Sequence, residues 1–336
     1  MIKNLFFILS IVLFIGCKDT SEKLNVLQGN AFGTTYSIQY FSQNDFDAEK
    51  GIDSVVYAVN KSVSTYMPNS DISKINQGDS TVVVDSIFSD VFLLSEKIYK
   101  QSHGYFDPTI GVLRNAYGFG DTQPVKKMDS LTLDSLMQFV GFSKVKLTQE
   151  GTIQKQFPEI YFDFNAVAKG YGIDCLGRYL ESQGVTHYLI ELGGELLSKG
   201  QNIEKQKPWV VGIEAVDSEL ENRSYTHTVA LQNEGMASSG NYRKFRIDSL
   251  TGKKYVHTLN PLTGEAEESD VTSATVIAVT CAEADAYATT FMAMGLEKSK
   301  RLLSALNDVE AYLTYIDSNH QPQVFVTEGF QNRILE

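Results

Sequence analysis

The segment Ser273–Gly295, SATVIAVTCAEADAYATTFMAMG, restricts the possible fold more than any other part of the chain. Its first part, Ala274–Val279, is apolar and rich in β-branched residues, which predicts a buried strand. Thr280 and Glu283 follow in the order T-x-x-E, the pattern of a capping box at the start of a helix. The sequence therefore predicts a buried strand that leads directly into a helix.

Within the predicted helix, Asp285 and Thr289 are four residues apart and lie on one face. The other residues of this face are apolar, namely Ala284, Ala288 and Met292. A carboxylate on such a face is costly to bury unless it has a partner. Carboxylate and hydroxyl oxygens are hard ligands that suit Mg²⁺. Backbone N–H groups would also satisfy a buried aspartate, so both interpretations stay open on this segment alone.

The N-terminus has the pattern of a bacterial export signal. Lys3 precedes Leu5–Ile15, an apolar run that is too short to span a bilayer. A glycine stands directly before Cys17, as at a lipoprotein processing site, so we expect cleavage there and lipidation of the thiol. A signal peptide with an incidental cysteine and an uncleaved anchor are the alternatives. The predicted parts are a signal peptide (1–16), a lipidated tether (17–24) and one functional domain (25–336).

The charge of the chain limits its partners. The formal net charge is −12, from 29 basic and 41 acidic residues, which argues against nucleic acid as a ligand. An acidic protein also needs a local positive charge to hold an anionic substrate, and a bound divalent cation can supply it.

Cysteine chemistry offers little support for a metal or redox site. Besides Cys17 the chain has only Cys175 and Cys281, with no C-x-x-C motif and no His/Cys cluster, so a zinc site is not predicted. The two thiols could pair outside the cytoplasm. Because Cys281 begins the predicted helix, we favour free thiols.

The order of predicted elements indicates the α+β class. Amphipathic helices dominate the first half, and short strands dominate the second half. Predicted helices span about 45–63, 88–102, 129–140, 166–183 and 296–306. Predicted strands lie at about 25–41 (broken at Gly33), 144–147, 160–163, 188–192, 195–198, 209–215, 226–231, 236–247, 254–259, 310–316 and 323–326.

Four further segments carry residue types that suit ligand binding, although each has a structural explanation as well. A helix start after Asp163 offers N–H groups to an anion, with Lys169 nearby. Tyr105 and Phe106 could enclose a planar ring. The paired glycines of ELGGE allow the backbone to approach a ligand or another backbone segment closely. His257 is the histidine that precedes a tight turn. The segments are FDFNAVAKGY (162–171), GYFDPT (104–109), ELGGE (191–195) and SSGNYR (238–243) with His257 and NPLTG (260–264).

These segments together resemble the ApbE family, the FAD:protein FMN transferases. The resemblance covers nearly all of the chain after the tether, in the order of the family. It rests on AFGTTY (31–36), STYMPNSDISKIN (64–76), GYFDPTIGVL (104–113), DFNAVAKGYGID (163–174), ELGGE (191–195), ASSGNYRKF (237–245), HTLNPLTG (257–264) and ADAYAT (284–289).

The resemblance implies an α+β fold of two closely joined subdomains, with FAD held in the cleft between them. It implies that Mg²⁺ is bound by the side chains of Asp285 and Thr289 and by the main-chain carbonyl of Ala166. Implied FAD contacts are Phe32, Tyr66, Tyr105, Phe106, Asp107, Asp163, Lys169, His257 and Leu259.

The implied reaction is Mg²⁺-dependent transfer of FMN from FAD to a Thr or Ser hydroxyl of an acceptor protein, with release of AMP. His257 is the candidate proton acceptor or orienting group, and Asp285 is expected to be a metal ligand rather than a base. A Mg²⁺-dependent FAD pyrophosphatase that yields FMN and AMP is the alternative enzyme, and a periplasmic flavin-binding lipoprotein is the non-enzymatic alternative.

The resemblance also implies membrane partners. Acceptors in this family are flavoprotein subunits of membrane redox complexes, of the sodium-pumping NADH:quinone reductase or Rnf type. A lipid anchor on a bacterial membrane, with the domain facing the periplasm, agrees with such partners.

Three positions depart from the pattern of the family. Phe32 stands where methionine is usual, and Asn165-Ala166 replaces a common Gly-Gly pair. NPLTG replaces the more usual DPRTG, which removes an Asp and an Arg from this turn. The last change argues against phosphate binding by the turn, and none of the three removes a predicted metal ligand.

Overall fold

The computed structural model describes residues 22–214, 224–241, 245–247, 252, 254–266 and 268–335. The predicted signal peptide, the lipidation site Cys17 and most of the tether lie outside the described residues, as do Tyr242 and Arg243. In the described part, no helix is long and apolar enough to cross a membrane.

Strands and helices are distributed along the whole described chain. The strands are β1 (Lys23–Ala31), β2 (Thr34–Ser42), β3 (Val145–Leu147), β4 (Ile153–Lys155), β5 (His187–Leu192), β6 (Glu195–Lys199), β7 (Trp209–Glu214), β8 (Tyr225–Leu231), β9 (Gly235–Gly240), β10 (Phe245–Ile247), β11 (Lys254–Val256), β12 (Val271–Ala278), β13 (Val309–Ile316), β14 (Pro322–Val326) and β15 (Ile334–Leu335). The helices are α1 (Ala48–Val63), α2 (Asp71–Asn76), α3 (Ser86–Gln101), α4 (Gly111–Tyr117), α5 (Ser130–Met137), α6 (Ala168–Ser182), α7 (Cys281–Met294), α8 (Leu296–Leu303) and α9 (Glu328–Gln331).

An eight-stranded antiparallel sheet forms the centre of the molecule, in the order β1-β2-β5-β6-β9-β12-β13-β14. β1 and β2 are joined by Phe32 and Gly33, whose φ angles of 49° and 78° are left-handed. This hairpin explains why the predicted strand pair breaks at Gly33, because glycine adopts such angles at no steric cost.

The two faces of the central sheet are covered differently. Along β5, Tyr188, Ile190 and Leu192 point to one face, and Leu189 points to the other, as the period-two geometry of a strand requires. α1, α6 and α7 pack on the first face, and α6 lies against both α1 and α7. The small sheet β15-β8-β7 covers the second face and buries Trp209 there.

A smaller unit stands beside this body and contains α4, α5 and the β10–β11 hairpin. Its own apolar cluster consists of Leu113, Tyr117, Val140, Tyr255, Leu259 and Ala266. The predicted α+β class is therefore confirmed, and the arrangement agrees with two closely joined subdomains.

The strand predicted at 160–163 is wrong. Tyr161 makes only an isolated bridge to Ile110. At Phe162 the side chain of Asn76 takes the place of a neighbouring strand. Asn76 Nδ2 donates to the Phe162 carbonyl at 2.9 Å, and the Phe162 N–H donates to Asn76 Oδ1 at 2.8 Å.

Candidate active site

At the contact between α6 and α7, the segment that follows Ala166 meets the helix that contains Asp285 and Thr289. In an uninterrupted helix, the Gly170 N–H would donate to the Ala166 carbonyl, four residues back. It donates instead to Asp285 Oδ2 of α7, at 3.0 Å. No backbone N–H of the described residues donates to the Ala166 carbonyl, so this oxygen keeps its capacity for another ligand.

A short turn before α6 produces this arrangement. The Asn165 N–H donates to Asp163 Oδ1 at 2.8 Å, and the N–H groups of Val167 and Ala168 both donate to the Phe164 carbonyl. The helix predicted from residue 166 therefore begins at Ala168. Local hydrogen bonds of the Asp163 side chain compete with helix formation at this place.

Asp285 is almost completely buried, with 5% of its surface exposed. Burial raises the pKa of its carboxyl group, while the Lys169 ammonium and the Gly170 N–H act in the opposite direction. A buried carboxylate needs compensating charge. The protein supplies part of it through Lys169, which is close enough to interact with Asp285.

Lys169 makes an ion pair with Glu195, at 2.5 Å between Nζ and Oε2. Burial alone would lower the pKa of Lys169, but Glu195 and Asp285 outweigh it, so the pKa is raised and the ammonium form is favoured. Burial raises the pKa of the Glu195 carboxyl to about 7, although Lys169 opposes this shift. Two carboxyl groups, those of Glu195 and Asp285, thus share the Lys169 ammonium. When both are ionised, the local net charge is negative, and a bound cation would be stabilised there.

Glu195 was not among the predicted site residues. The sequence signal of the ELGGE segment is its pair of glycines, whereas Glu195 is the first residue of β6 and is 5% exposed. A glutamate directly before two leucines at the start of a strand was the sequence signal available for this residue. Its partner Lys169 lies in a distant part of the chain, so the pair could not be derived from spacing.

Thr289 lies one turn after Asp285 on α7 and is half-buried. Its Oγ1 is 3.4 Å from Ser239 Oγ, at the end of β9. Two residues later, Asn241 is 4% exposed, and its Oδ1 atom has no hydrogen-bond partner within the described residues. The end of β9, part of the SSGNYR segment singled out in the sequence, therefore places the Ser239 hydroxyl beside Thr289.

Asp163 connects the start of α6 to the smaller unit. Its Oδ2 is 3.1 Å from Arg114 Nε of α4, and its N–H donates to the Pro108 carbonyl at 2.8 Å. The predicted FAD contacts Asp107 and Asp163 are consequently near each other. The structure thus brings together two segments that are more than 50 residues apart in the chain.

The Asp107 carboxylate accepts hydrogen bonds from neighbouring protein groups. Its Oδ1 accepts hydrogen bonds from Thr109 N (2.8 Å) and Oγ1 (2.6 Å), and its Oδ2 accepts one from Phe142 N (2.9 Å). Burial raises the pKa of this carboxyl to about 6, against the effect of these hydrogen bonds. In this structure Asp107 orders the loop that contains Tyr105 and Phe106.

The predicted aromatic contacts differ in exposure. Phe106 is buried, Tyr105 is half-buried with Lys298 Nζ 5.3 Å from its ring centre, and Tyr66 is 64% exposed. Phe32 packs so closely on α6 that a Cβ on Gly172 would lie 2.6 Å from its ring. Tyr66 is therefore the member of this set that is most available to a large planar ligand.

His257 and Leu259 lie on the side of the smaller unit. His257 is half-buried and has partners within the protein, and Leu259 is buried in the cluster of the smaller unit. Thr258, which lies between them in the chain, lines a cavity of about 180 Å³ that reaches the end of α7. This cavity is lined by Thr258, Asn260, Glu265, Glu268, Ser269, Met292 and Ala293. A second cavity of about 270 Å³ lies on the β3–β4 hairpin, and its lining includes no predicted site residue.

The described residues contain no cluster of three or more His, Cys, Asp or Glu that could hold a metal ion. The oxygen donors near α6 and α7 are of a different kind: one carboxylate, one hydroxyl and one main-chain carbonyl. Such a mixed oxygen set fits Mg²⁺, which commonly takes only one or two carboxylates from a protein.

Comparison with known proteins identifies the family. The model of the ApbE family matches residues 32–313. The chain belongs to the ApbE family. The FAD:protein FMN transferase of Haemophilus influenzae is 30% identical over 316 residues, with 90% of each chain covered. The FAD:protein FMN transferase of Vibrio cholerae is 33% identical over 304 residues, with 88% of this chain and 89% of the relative covered.

Solved ApbE structures confirm the fold. The flavin transferase ApbE from Vibrio cholerae matches with a TM-score of 0.81 and 28% identity, over 93% of this chain and 99% of its own. The ApbE protein from Thermotoga maritima has a TM-score of 0.81 at 22% identity and covers 94% of this chain and 100% of its own, which supports the fold alone. The ApbE match begins at Phe32 and extends past Thr289, so it includes all predicted metal and FAD residues.

Proposed function

We propose that this protein is a Mg²⁺-dependent flavin transferase, which moves FMN from FAD to a Thr or Ser hydroxyl of an acceptor protein and releases AMP. The observation that carries the proposal is the hydrogen bond from the Gly170 N–H to the buried carboxylate of Asp285, together with an Ala166 carbonyl that accepts no backbone hydrogen bond within the described residues. Relatives at 30% and 33% identity that are FAD:protein FMN transferases support the same reaction.

Three oxygen donors would hold the ion: Asp285 Oδ, Thr289 Oγ1 and the Ala166 carbonyl. When bound, Mg²⁺ would polarise the phosphorus of the FMN half of FAD and stabilise the departing AMP. The protein would contribute a rigid arrangement of these three oxygen donors, because packing of α6 against α7 would hold them in place before the substrate binds.

The chain itself supplies positioning and charge. The acceptor hydroxyl oxygen forms a bond to the FMN phosphorus, the P–O bond to the bridging oxygen breaks, and AMP leaves with that oxygen. The hydroxyl proton passes to a base, and we assign this role to His257, which directly precedes the cavity-lining residue Thr258. Lys169 would offset part of the pyrophosphate charge, within its pair with Glu195. Phosphoryl transfer depends mainly on such positioning and charge stabilisation.

The remaining predicted contacts would hold the two ends of FAD. Tyr66 and Tyr105 offer accessible ring faces for the flavin or the adenine. Phe32, Phe106 and Leu259 would form the apolar walls. Asp107 and Asp163 would shape the backbone around the ligand rather than oppose its negative charge.

The acceptor and the cellular location follow from the sequence resemblance. We propose that the acceptors are flavoprotein subunits of membrane redox complexes, of the sodium-pumping NADH:quinone reductase or Rnf type. Cys17 would carry the lipid that anchors the protein to a bacterial membrane with its domain in the periplasm. Treatment of cells with globomycin tests the anchor: unchanged precursor size would contradict it.

The decisive experiment incubates the protein with FAD, MgCl₂ and a candidate acceptor. In-gel flavin fluorescence and mass measurement then detect FMN on the acceptor, and chromatography detects AMP. EDTA and Asp285→Asn are both expected to abolish transfer. The matched control is Glu283→Gln, on the same helix, whose carboxylate pairs with Lys97 at 2.7 Å. It is expected to keep transfer activity.

The same assay separates the alternatives. Free FMN and AMP without acceptor labelling would indicate a pyrophosphatase that uses water. Retained FAD binding in EDTA without AMP release would indicate a flavin carrier. If His257→Ala kept full transfer at neutral pH while Asp285→Asn lost it, the role of His257 as proton acceptor would be wrong.

A further inference from the structure

Asp174 of α6 makes a contact that the proposed reaction does not use. Its side chain is 6% exposed and reaches across to the start of α7. Oδ1 accepts a hydrogen bond from the Cys281 N–H at 2.9 Å, and Oδ2 accepts one from the Ala282 N–H at 2.9 Å. A residue of one helix thus caps the N-terminus of another.

This contact completes the hydrogen bonding at the start of α7. The first N–H groups of a helix have no partners within the helix. Asp174 satisfies those of Cys281 and Ala282, and Thr280 Oγ1 accepts from the Glu283 N–H at 3.2 Å. The Ala284 N–H then makes the first regular helix bond, to the Thr280 carbonyl.

The contact between the two helices is reciprocal. Gly170 and Asp174 are four residues apart on α6, and Cys281 and Asp285 are four residues apart on α7. At one end, the Gly170 N–H of α6 donates to Asp285 of α7. At the other end, α7 donates its first two N–H groups to Asp174 of α6. Hydrogen bonds thus run from α6 to α7 at one end and from α7 to α6 at the other end. Together they restrict both rotation and sliding of one helix against the other.

The main chains of α6 and α7 are too close at Gly170 to accept a larger side chain there. A Cβ on Gly170 would lie 2.4 Å from the Cys281 carbonyl oxygen and 2.9 Å from Ala282 Cα. The main chains are in direct contact at this place. A small rotation of α7 would therefore move Asp285 relative to the Ala166 carbonyl, which lies just before α6.

We propose that Asp174 is a positioning residue for the divalent-cation site. By holding the start of α7 against α6, it keeps the Asp285 carboxylate and the Ala166 carbonyl directed at one ion. This inference rests on the proposed function, because it assumes that these oxygens bind the cation. Asp174 itself binds neither the ion nor FAD in this proposal.

The test compares two aspartates that both cap helices. Asp174→Asn keeps the shape of the side chain but presents an amide N–H to one backbone N–H. Asp85→Asn is the matched control, because Asp85 caps α3 by accepting from the Phe88 N–H at 2.9 Å. Full-length wild-type and variant proteins are titrated with Mg²⁺ and with Mn²⁺ by calorimetry, without FAD. The thermal unfolding midpoint is measured in EDTA.

We expect Asp174→Asn to weaken Mg²⁺ binding by about 10- to 100-fold, as loss of a residue that orients a ligand generally does. High Mg²⁺ concentrations should restore much of the transfer rate. Asp85→Asn should lower the unfolding midpoint but leave Mg²⁺ affinity unchanged. Asp174→Glu, which retains the carboxylate, should bind Mg²⁺ more tightly than Asp174→Asn and serves as the second variant if Asp174→Asn does not fold.

Two outcomes would overturn the proposal in distinguishable ways. If both Asp174 variants lower the unfolding midpoint but bind Mg²⁺ as tightly as the wild type, Asp174 is only a structural cap, and the proposed function stands. If the wild-type protein neither binds Mg²⁺ nor transfers FMN, the metal site of the proposed function fails and this inference fails with it.

Discussion

At the scale of single residues, Gly170 has two structural roles that no other residue type could combine. Its N–H is the donor to Asp285, and its missing Cβ lets the main chains of α6 and α7 touch. Such close approach is a general reason for glycine within a helix, where it is otherwise unfavourable by roughly 1 kcal/mol relative to alanine.

Gly170→Ala is expected to destabilise the protein and to weaken Mg²⁺ binding. Overpacking of this kind costs about 1–3 kcal/mol, and the Cys281 carbonyl is main chain that cannot move aside. Gly177→Ala in the same helix is the control, because the nearest atoms to its new Cβ are the ends of the Tyr188 and Leu197 side chains. Urea denaturation should show the larger loss for Gly170→Ala; an equal loss would contradict the special role of the helix contact.

Asp107 gives a prediction about pH. Its pKa is raised from 3.8 to about 6 by burial. Between these values the folded state holds a proton that the unfolded state has lost. The free energy of unfolding should therefore fall as pH rises through this window, by up to about 1.4 kcal/mol per pH unit. Asp107→Asn should reduce this slope in urea denaturation at several pH values.

Asp129→Asn is the control for the pH experiment. The pKa of Asp129 is lowered from 3.8 to about 2 by its hydrogen bonds with Thr132, so its contribution to stability is lost as pH falls from 3.8 to about 2. Its substitution should leave the slope between pH 3.8 and about 6 unchanged. An unchanged slope in Asp107→Asn would show that burial does not raise the pKa of Asp107.

The residues of the site were predictable to different degrees. The sequence singles out Asp285 and Thr289 as candidates, a carboxylate and a hydroxyl one turn apart on an apolar face, but this segment alone leaves metal binding and a structural role open. The sequence does not single out Ala166, because a main-chain carbonyl leaves no signal in the sequence, and only the family resemblance pointed to it. Glu195 and Asp174 act through partners far along the chain, and spacing within one segment contains no information about such partners.

At the scale of elements, the strand-to-helix segment was the most reliable prediction. The strand β12 and the helix α7 follow the predicted order, and Thr280 caps α7 as the T-x-x-E pattern required. The strand predicted at 160–163 failed because the Asn76 side chain satisfies the main chain of Phe162. Periodicity describes which side chains are buried, but it does not describe which group supplies the hydrogen bonds.

Thr280→Ala tests the cap of α7 independently of Asp174. The Glu283 N–H would lose its acceptor, and loss of an N-cap side chain typically costs about 1 kcal/mol. Thr280→Ser retains the hydroxyl and should lose much less stability in the same urea titration. Equal losses for the two variants would show that the hydroxyl does not cap the helix.

At the scale of the whole molecule, the central sheet separates two apolar layers. α6 and α7, with the candidate site, lie on one face, whereas β7, β8 and β15 lie on the other. The second layer is closed by the C-terminal segment, in which Phe330 is fully buried and Arg333 pairs with Glu234. The central strands β5 and β12 have buried residues on both faces, so strict alternation did not distinguish the two faces in the sequence, and the partner of each face was not predictable either.

The separation of the two layers predicts that stability and metal binding can be changed independently. Phe330→Ala should lower the free energy of unfolding by about 3–5 kcal/mol, because it empties a fully buried ring position. Mg²⁺ affinity, measured by calorimetry well below the unfolding midpoint, should stay at the wild-type value, since the sheet lies between Phe330 and α7. Leu335→Ala, at a position that is 40% exposed in the same segment, should change both quantities little. A weaker Mg²⁺ affinity in Phe330→Ala would mean that the central sheet transmits packing changes from one layer to the other.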